Sequence, residues 1–381
     1  MPCFRPKKGF VIGTTENGCP KYRITPWTTE YVARDITGAW RNYEKGDEVS
    51  AGFSPFVGME CDSSVVHSFI PIPCGNCLGC RLDYAKEWTV RLLHEYLMHP
   101  DEECWFLTLT YNDDALAETF LPPLRNPITK KIDPPIERLA LGADSLGEAA
   151  WFPNLYARDM TLFWKRLRKK YPDKKIMYYQ AGEYGETRGR CHWHAIVFGL
   201  PLDIDELKFN GVSELGDSTW RAPQLEKLWH STYDESRPLG NVIVGKVTAK
   251  SCGYVARYTL KKAREMWEDD FTGRVKPFVR MSTNPAIGLE YIKKNLQIFD
   301  VSQFYIPNGS KSFMVNHPRY YMKYLKGVNP VRYEELKEDR SIAGRISYLN
   351  TLNDGRDYLE ILKEKELDLS KKMSIMKRKA E

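Results

Sequence analysis

The chain has 381 residues, 42% of them hydrophobic and 13% aromatic, with 56 Lys and Arg against 50 Asp and Glu. Such a composition folds rather than staying disordered, and nine cysteines, an odd number in a long chain, fit reduced thiols or metal ligands better than a disulfide framework. The net charge of +6 is mild and permits a polyanionic partner without requiring one.

Three zones are expected, over residues 1–100, 101–268 and 269–381. The first begins Met-Pro-Cys-Phe without the apolar run of a signal peptide, and no stretch is long enough to span a bilayer. A location in the cytoplasm, away from membranes, is therefore expected. Up to about Pro100 the chain reads as irregular, rich in Gly, Pro, Cys and aromatics, and then as helical. Leu82, Ala85, Trp88, Leu92 and Tyr96 share one helical stripe.

In the second zone, Trp105–Tyr111 is β-rich, with Phe106, Thr108 and Thr110 facing one way and Leu107 and Leu109 the other. A Pro-rich insertion follows, with Pro122, Pro123, Pro127, Pro134 and Pro135, and reads as a loop. Leu155–Tyr171 reads as a helix with a basic face, including Lys165, Arg166 and Lys169, closed by Pro172. Lys175–Ala181 reads as a strand, Gly182–Arg190 as a turn and His192–Gly199 as a returning strand, which makes a hairpin. Ala222–Tyr233 is expected to be helical, Asn241–Val247 a strand and Thr248–Glu268 a helix. The third zone reads as mixed and then, from Tyr333, helical and charge-rich. Strand, helix, hairpin, helix, strand, helix implies an α+β fold, a central antiparallel sheet with flanking helices. A Cys-containing region precedes it and a helical region follows.

Three patterns bear on chemistry. His192-Trp193-His194 puts both imidazoles on one face of a strand, as divalent-metal ligands need, with Trp193 and Val197 on the core side. Two histidines so spaced are also common as plain polar residues on a strand. Glu183 lies on the partner arm, where folding back brings it within reach and closes a His-His-Glu set suited to Mg2+ or Mn2+ on a phosphate. It reads equally as a solvated turn acid. In Tyr254-Val-Ala-Arg-Tyr258-Thr-Leu-Lys261-Lys262, each helix residue advances by about 100°. Tyr258 is then about 40° from Tyr254, and Lys261 about 20° to its other side. A tyrosine pair is ordinarily core, but Arg257, Lys261 and Lys262 keep this stripe near water or an anion.

Together these suit one reaction. A phenol with an ordinary pKa of about 10 is a poor nucleophile at neutral pH. A cation that polarises a phosphodiester oxygen, with a lysine favouring the phenolate, makes its attack on phosphorus feasible. The product is a phosphotyrosine that conserves the bond energy, and two phenols let one hold a DNA end while the other cuts again.

Separately, Cys74, Cys77 and Cys80 form C-x-x-C-x-x-C, which reads as readily as a structural Zn2+ site as a reduced buried loop. A zinc site needs a fourth ligand. Cys61 and His67 are nearest in sequence, with Cys3 and Cys19 farther away. A ferredoxin-type run would want a cysteine where Tyr84 stands.

FLTLTY at Phe106–Tyr111, HWH at His192–His194 and YVARYTLKK at Tyr254–Lys262 resemble the three ordered motifs of the HUH endonuclease superfamily. The MPCFRPKKGF start, PCGNCLGCR at Pro73–Arg81 and GEYGETRGRCHWHAIVFG at Gly182–Gly199 resemble more closely the rolling-circle replication initiators of gokushovirus-type Microviridae. The likeness runs to about Lys262. It implies His192, His194 and Glu183 as metal ligands, Tyr254 and Tyr258 as paired nucleophiles, and Tyr258, three before Lys261, as the one that cuts first. It also implies single-stranded DNA at a replication origin as the substrate. No G-x-x-x-x-G-K-[ST] helicase motif accompanies these residues, so a host helicase and DNA polymerase are expected partners. Two rival readings stand beside this one. A metallohydrolase could use activated water, although His194 is followed by Ala195 and Ile196 instead of the H-x-H-x-D run of some hydrolases. A non-catalytic, zinc-dependent DNA-binding protein would bind without cutting.

Overall fold

The structure is a computed structural model. It describes residues 3–378 except 17, 19, 36, 48–64, 118–153, 186–188, 214–215, 232–234, 257–274, 276, 309–310 and 353–354. The Pro-rich insertion, Cys19, Cys61, Arg257, Tyr258, Lys261 and Lys262 lie outside the described residues. The chain forms two compact units, Met1–Asp83 with Gly344–Glu381, and Tyr84–Ala343.

The first unit is not the irregular stretch that its Gly and Pro content implies. It holds two three-stranded sheets built from β1 (Lys7–Thr14), β2 (Pro20–Thr25), β3 (Thr29–Arg34), β4 (Trp40–Glu44), β5 (Val65–Val66) and β6 (Phe69–Ile72), in the orders β2-β1-β6 and β4-β3-β5. β2 and β4 expose most of their residues, and β5 and β6 are only two and four residues long, so no sustained period-2 apolar pattern marks them. Helix α1 (Leu78–Tyr96) starts here and continues into the second unit.

The second unit is organised by a seven-stranded antiparallel sheet. Its strands are β7 (Cys104–Thr110), β8 (Met177–Tyr184), β9 (Cys191–Phe198), β10 (Lys208–Val212), β11 (Ser218–Arg221), β12 (Val242–Lys246) and β13 (Phe278–Met281). Their order is β10-β11-β12-β7-β9-β8-β13, which puts the histidine strand β9 between β7 and β8 near the middle. Alternation sorts the side chains. Leu107, Leu109, Trp193, Val197, Val242 and Val244 point to one face, where α2 (Ala157–Lys170) covers them with Met160, Phe163, Trp164 and Leu167. That i, i+3, i+4, i+7 spacing is the amphipathic stripe expected of this helix. On the other face Tyr179, Ala181, Ile196 and Phe198 pack against Trp88 and Leu92 of α1 and against Cys252, Val255 and Ala256 of α3 (residues 249–256).

Two local expectations are corrected. Gly182 is in strand β8, not in the turn, because the Trp193 ring lies where a side chain would stand: an ideal Cβ there would be 2.5 Å from Trp193 Cζ3. Among its described residues, the stretch read as a helix over 222–233 is α-helical only at Pro223–Glu226, after which Trp229 turns inward and His230 bridges back to Pro238. After β13 the unit adds the hairpin β14 (Gln303–Asn308) and β15 (Lys311–Asn316). The charge-rich end of the chain is helical, over Pro330–Leu352 and Tyr358–Arg378. No helix among the described residues is long and apolar enough to cross a membrane.

Candidate active site

Strand register assembles the site. In the β8–β9 ladder Glu183 stands opposite His192 and Ala181 opposite His194, while in the β7–β9 ladder Thr108 stands opposite His194. Directly opposed residues of an antiparallel pair share a face. Glu183, His192, His194 and Thr108 therefore project together toward the α1 and α3 side of the sheet.

Glu183 is fully buried, and its Oε1 is hydrogen-bonded by Nε2 of His192 and by Nε2 of His194, the latter at 2.9 Å. The other ring nitrogen of each histidine is also held. His192 Nδ1 lies 3.2 Å from the Arg190 carbonyl, and His194 Nδ1 lies 3.0 Å from Thr108 Oγ1. Nε2 of His192 donates to Glu183 when it carries the proton; when Nδ1–H is instead donated to the Arg190 carbonyl, Nε2 turns a lone pair toward the carboxylate, the geometry in which a cation fits between them. This arrangement, Nδ1 to an outer acceptor and Nε2 inward, is the usual one for metal-binding imidazoles.

Two further observations fit a cation. Glu183 Oε2 is buried and finds no hydrogen-bond partner among the described residues, an uncompensated acceptor in a dry place. Burial by itself would push the Glu183 carboxyl up, yet the hydrogen bonds from His192 and His194 hold it below its usual range, so the group is charged at neutral pH. One donor atom from each of Glu183, His192 and His194 lies within 4.8 Å of the others. A mixed imidazole and carboxylate set with open positions suits a divalent ion that also takes phosphate oxygens.

Tyr254 enters from α3. The helix begins with a reciprocal cap: Thr248 N donates to Ser251 Oγ at 2.8 Å, and Ser251 N donates to Thr248 Oγ1 at 3.1 Å. Its apolar side, Cys252, Val255 and Ala256, seats it on the sheet face that bears the ligands. Half-buried Tyr254 then meets His194 edge to face, with centroids 5.4 Å apart at 85°, while Phe106 stacks on the same imidazole at 5.4 Å and 20°. Two of the three motifs thus converge with the first.

Other expected site residues lie elsewhere. Lys165, Arg166 and Lys169 are on α2, which covers the opposite face of the sheet. Lys165 and Lys169 are exposed, but the Arg166 guanidinium donates to the carbonyls of Leu228, His230 and Ser231. Cys74, Cys77 and Cys80 gather in the first unit, joined by Cys3. Sequence reasoning missed Thr108, Arg190 and Phe106 as site residues. Phe106 and Thr108 lie inside the FLTLTY motif, but their contacts with His194 come from strand register, and Arg190 contributes a backbone carbonyl, which no side-chain pattern marks.

A family model described as replication-associated protein ORF2/G2P matches residues 147–263, a span that holds Glu183, His192, His194, Tyr254 and Tyr258. The replication-associated protein VP4 of Bdellovibrio phage phiMH2K is 31% identical over 69% of this chain and 70% of its own length. The replication-associated protein ORF2 of Spiroplasma virus 4 is 28% identical over 78% of this chain and 82% of its own. The replication-associated protein ORF4 of Chlamydia phage 1 is 28% identical over 67% and 54%. No solved structure matches the chain.

Proposed function

We propose that this chain, which belongs to the family of microvirus replication-associated proteins, initiates rolling-circle replication by cutting one DNA strand with a tyrosine and remaining joined to its 5′ end. The observation that carries this reading is the contact of the Tyr254 ring with His194, itself bound to the buried Glu183 carboxylate.

In this reading Glu183 and Nε2 of His192 and His194 hold Mg2+ or Mn2+. The bound ion supplies Lewis acidity and charge stabilisation at a phosphodiester oxygen. Thr108 and the Arg190 carbonyl fix the imidazoles so that Nε2 faces the ion. The phenolic oxygen of Tyr254 or Tyr258 loses its proton and bonds to phosphorus. The bond from phosphorus to the 3′ oxygen breaks, that oxygen takes a proton, and the 5′ phosphate is left esterified to the enzyme. Lys261 and Lys262 favour the phenolate and neutralise the neighbouring phosphates, with Tyr258 making the first cut. A second phenol allows the reverse reaction to rejoin the displaced strand, which makes the enzyme a strand transferase as well as an endonuclease. Residues 101–268 act as the endonuclease core, with 1–100 and 269–381 as flanking regions. The substrate is single-stranded DNA at a replication origin in the cytoplasm of a bacterial host, with a host helicase and DNA polymerase completing the work. Lys165 and Lys169, exposed on α2, contact phosphates away from the cut in this reading and give binding a steep salt dependence.

The test is a denaturing gel of the protein mixed with origin single strand and Mn2+. A protein–DNA band should form and should vanish with chelator, in His194→Ala, and in the double variant Tyr254→Phe with Tyr258→Phe. Cutting that survives loss of both phenols would favour a hydrolase using activated water, and binding without cutting would favour a DNA-binding protein.

A further inference from the structure

The cysteines of the first unit are not used by the cut. Cys3, Cys74, Cys77 and Cys80 each offer a sulfur within 4.8 Å of the other three, and none of the four is in a disulfide. Cys3 lies some seventy positions from the rest, so its arrival is a product of folding and not of motif spacing. Backbone amides surround the sulfurs: Asn76 N and Cys77 N point at Cys74 Sγ at 3.4 and 3.2 Å, Phe4 N at Cys77 Sγ at 3.2 Å, and Cys74 N at Cys3 Sγ at 3.2 Å. Four amide donors aimed at sulfur match thiolates, which accept strongly, better than thiols, which accept weakly. Several thiolates packed together require a cation.

We propose that Cys3, Cys74, Cys77 and Cys80 bind one zinc ion as a tetrathiolate, and that this ion staples the N-terminal segment to the start of α1. A tetrahedral ion with Zn–S bonds of about 2.3 Å separates its sulfurs by roughly 3.8 Å. Cys77 Sγ and Cys3 Sγ are 3.7 Å apart. The surroundings show why a staple is needed. Phe4, Cys77 and Leu78 are the buried members of the apolar cluster here, so few fully buried apolar side chains join the N-terminal segment to the helix start at this point. Glu366 completes the junction, accepting Leu78 N at the helix start at 3.1 Å and Arg5 Nε at 3.2 Å. Zinc supplies the joint, and the carboxylate locks the helix end beside it.

The test is metal analysis of the reduced full-length protein purified without chelator, with cobalt substitution to read the ligand type. One zinc per chain is expected, and the cobalt form should show thiolate charge-transfer bands. Cys3→Ala and Cys80→Ala should lose the ion, whereas Cys104→Ser and His194→Ala should keep it, which separates this centre from the proposed catalytic one. A mercurial titration of wild-type protein should release the zinc in step with four thiols, a readout that does not depend on any variant folding. Hydrogen exchange at residues 3–14 and 69–78 should rise about tenfold or more on zinc removal, while β7 and β9 stay protected. No zinc, iron in its place, a disulfide among these cysteines, or zinc retained in Cys3→Ala would overturn the proposal.

Discussion

Thr108 Oγ1 lies 3.0 Å from Nδ1 of His194, on the edge of the imidazole away from Glu183. The hydroxyl occupies Nδ1 and leaves Nε2 facing Glu183, so in the proposed metal site it would hold the ring in the ligating orientation. Thr108→Val keeps the shape and removes the acceptor. Mn2+ affinity should fall about 10- to 100-fold, with little change in unfolding midpoint, as followed by calorimetric titration. Unchanged affinity would mean the tautomer is held by something else.

Glu183→Gln removes the charge between the imidazoles. Wild-type protein should gain about 2.7 kcal/mol of stability from Mn2+ at a hundred times its dissociation constant, and the variant should gain none. Thermal unfolding with and without Mn2+ measures the difference. Equal stabilisation of both proteins would remove Glu183 from the ligand set.

Gly182 neighbours Glu183 but points to the other face, under Trp193. An added Cβ would lie 2.5 Å from Trp193 Cζ3 and 3.1 Å from Leu155 Cδ2, so the ring must shift within a packed core. Gly182→Ala should cost about 1–3 kcal/mol in urea unfolding. A neutral substitution would show that the Trp193 side of the hairpin is loosely packed.

His94 in α1 gives a pH signature unconnected with any metal. It stacks on Tyr291 at 3.8 Å between centroids, and burial pushes its pKa from the ordinary 6.5 down to about 3. Below about pH 6.5 the unfolded chain takes up a proton that the folded chain refuses. Stability is therefore lost as pH falls through the window from 6.5 towards 3. Between neutral-to-alkaline pH and pH 5 the loss should be about 2 kcal/mol. His94→Phe, which retains a ring for stacking, should remove that part of the pH dependence. An unchanged slope in the variant would show that His94 is protonated in the folded state.

Much of the sheet was legible because its strands carry strong alternation. Phe106, Thr108 and Thr110 against Leu107 and Leu109, and His192 and His194 against Trp193 and Val197, are sorted by the period of two alone, and the two faces follow. Glu183 was within reach of the histidines by hairpin logic, although the turn begins three residues later than its glycines suggested. What stayed hidden was long-range. Thr108 reaches His194 through a ladder that joins positions 86 apart, and Cys3 reaches Cys77 across 74. No local pattern encodes such pairings. The first unit's strands escaped because exposed, mixed-polarity residues dilute their period. Helical spacing put Tyr254 on a stripe, but only the capped seating of α3 shows that Tyr254 itself meets the histidine face.

The central claim is that a phenol of this chain becomes the carrier of the DNA end. Its most direct measurement is mass spectrometry of proteolysed adduct after reaction with origin single strand and Mn2+. A single nucleotide-bearing peptide should be found, with the phosphate on Tyr254 or Tyr258. Cleaved DNA with a free 5′ phosphate, and no nucleotide on any peptide, would contradict it.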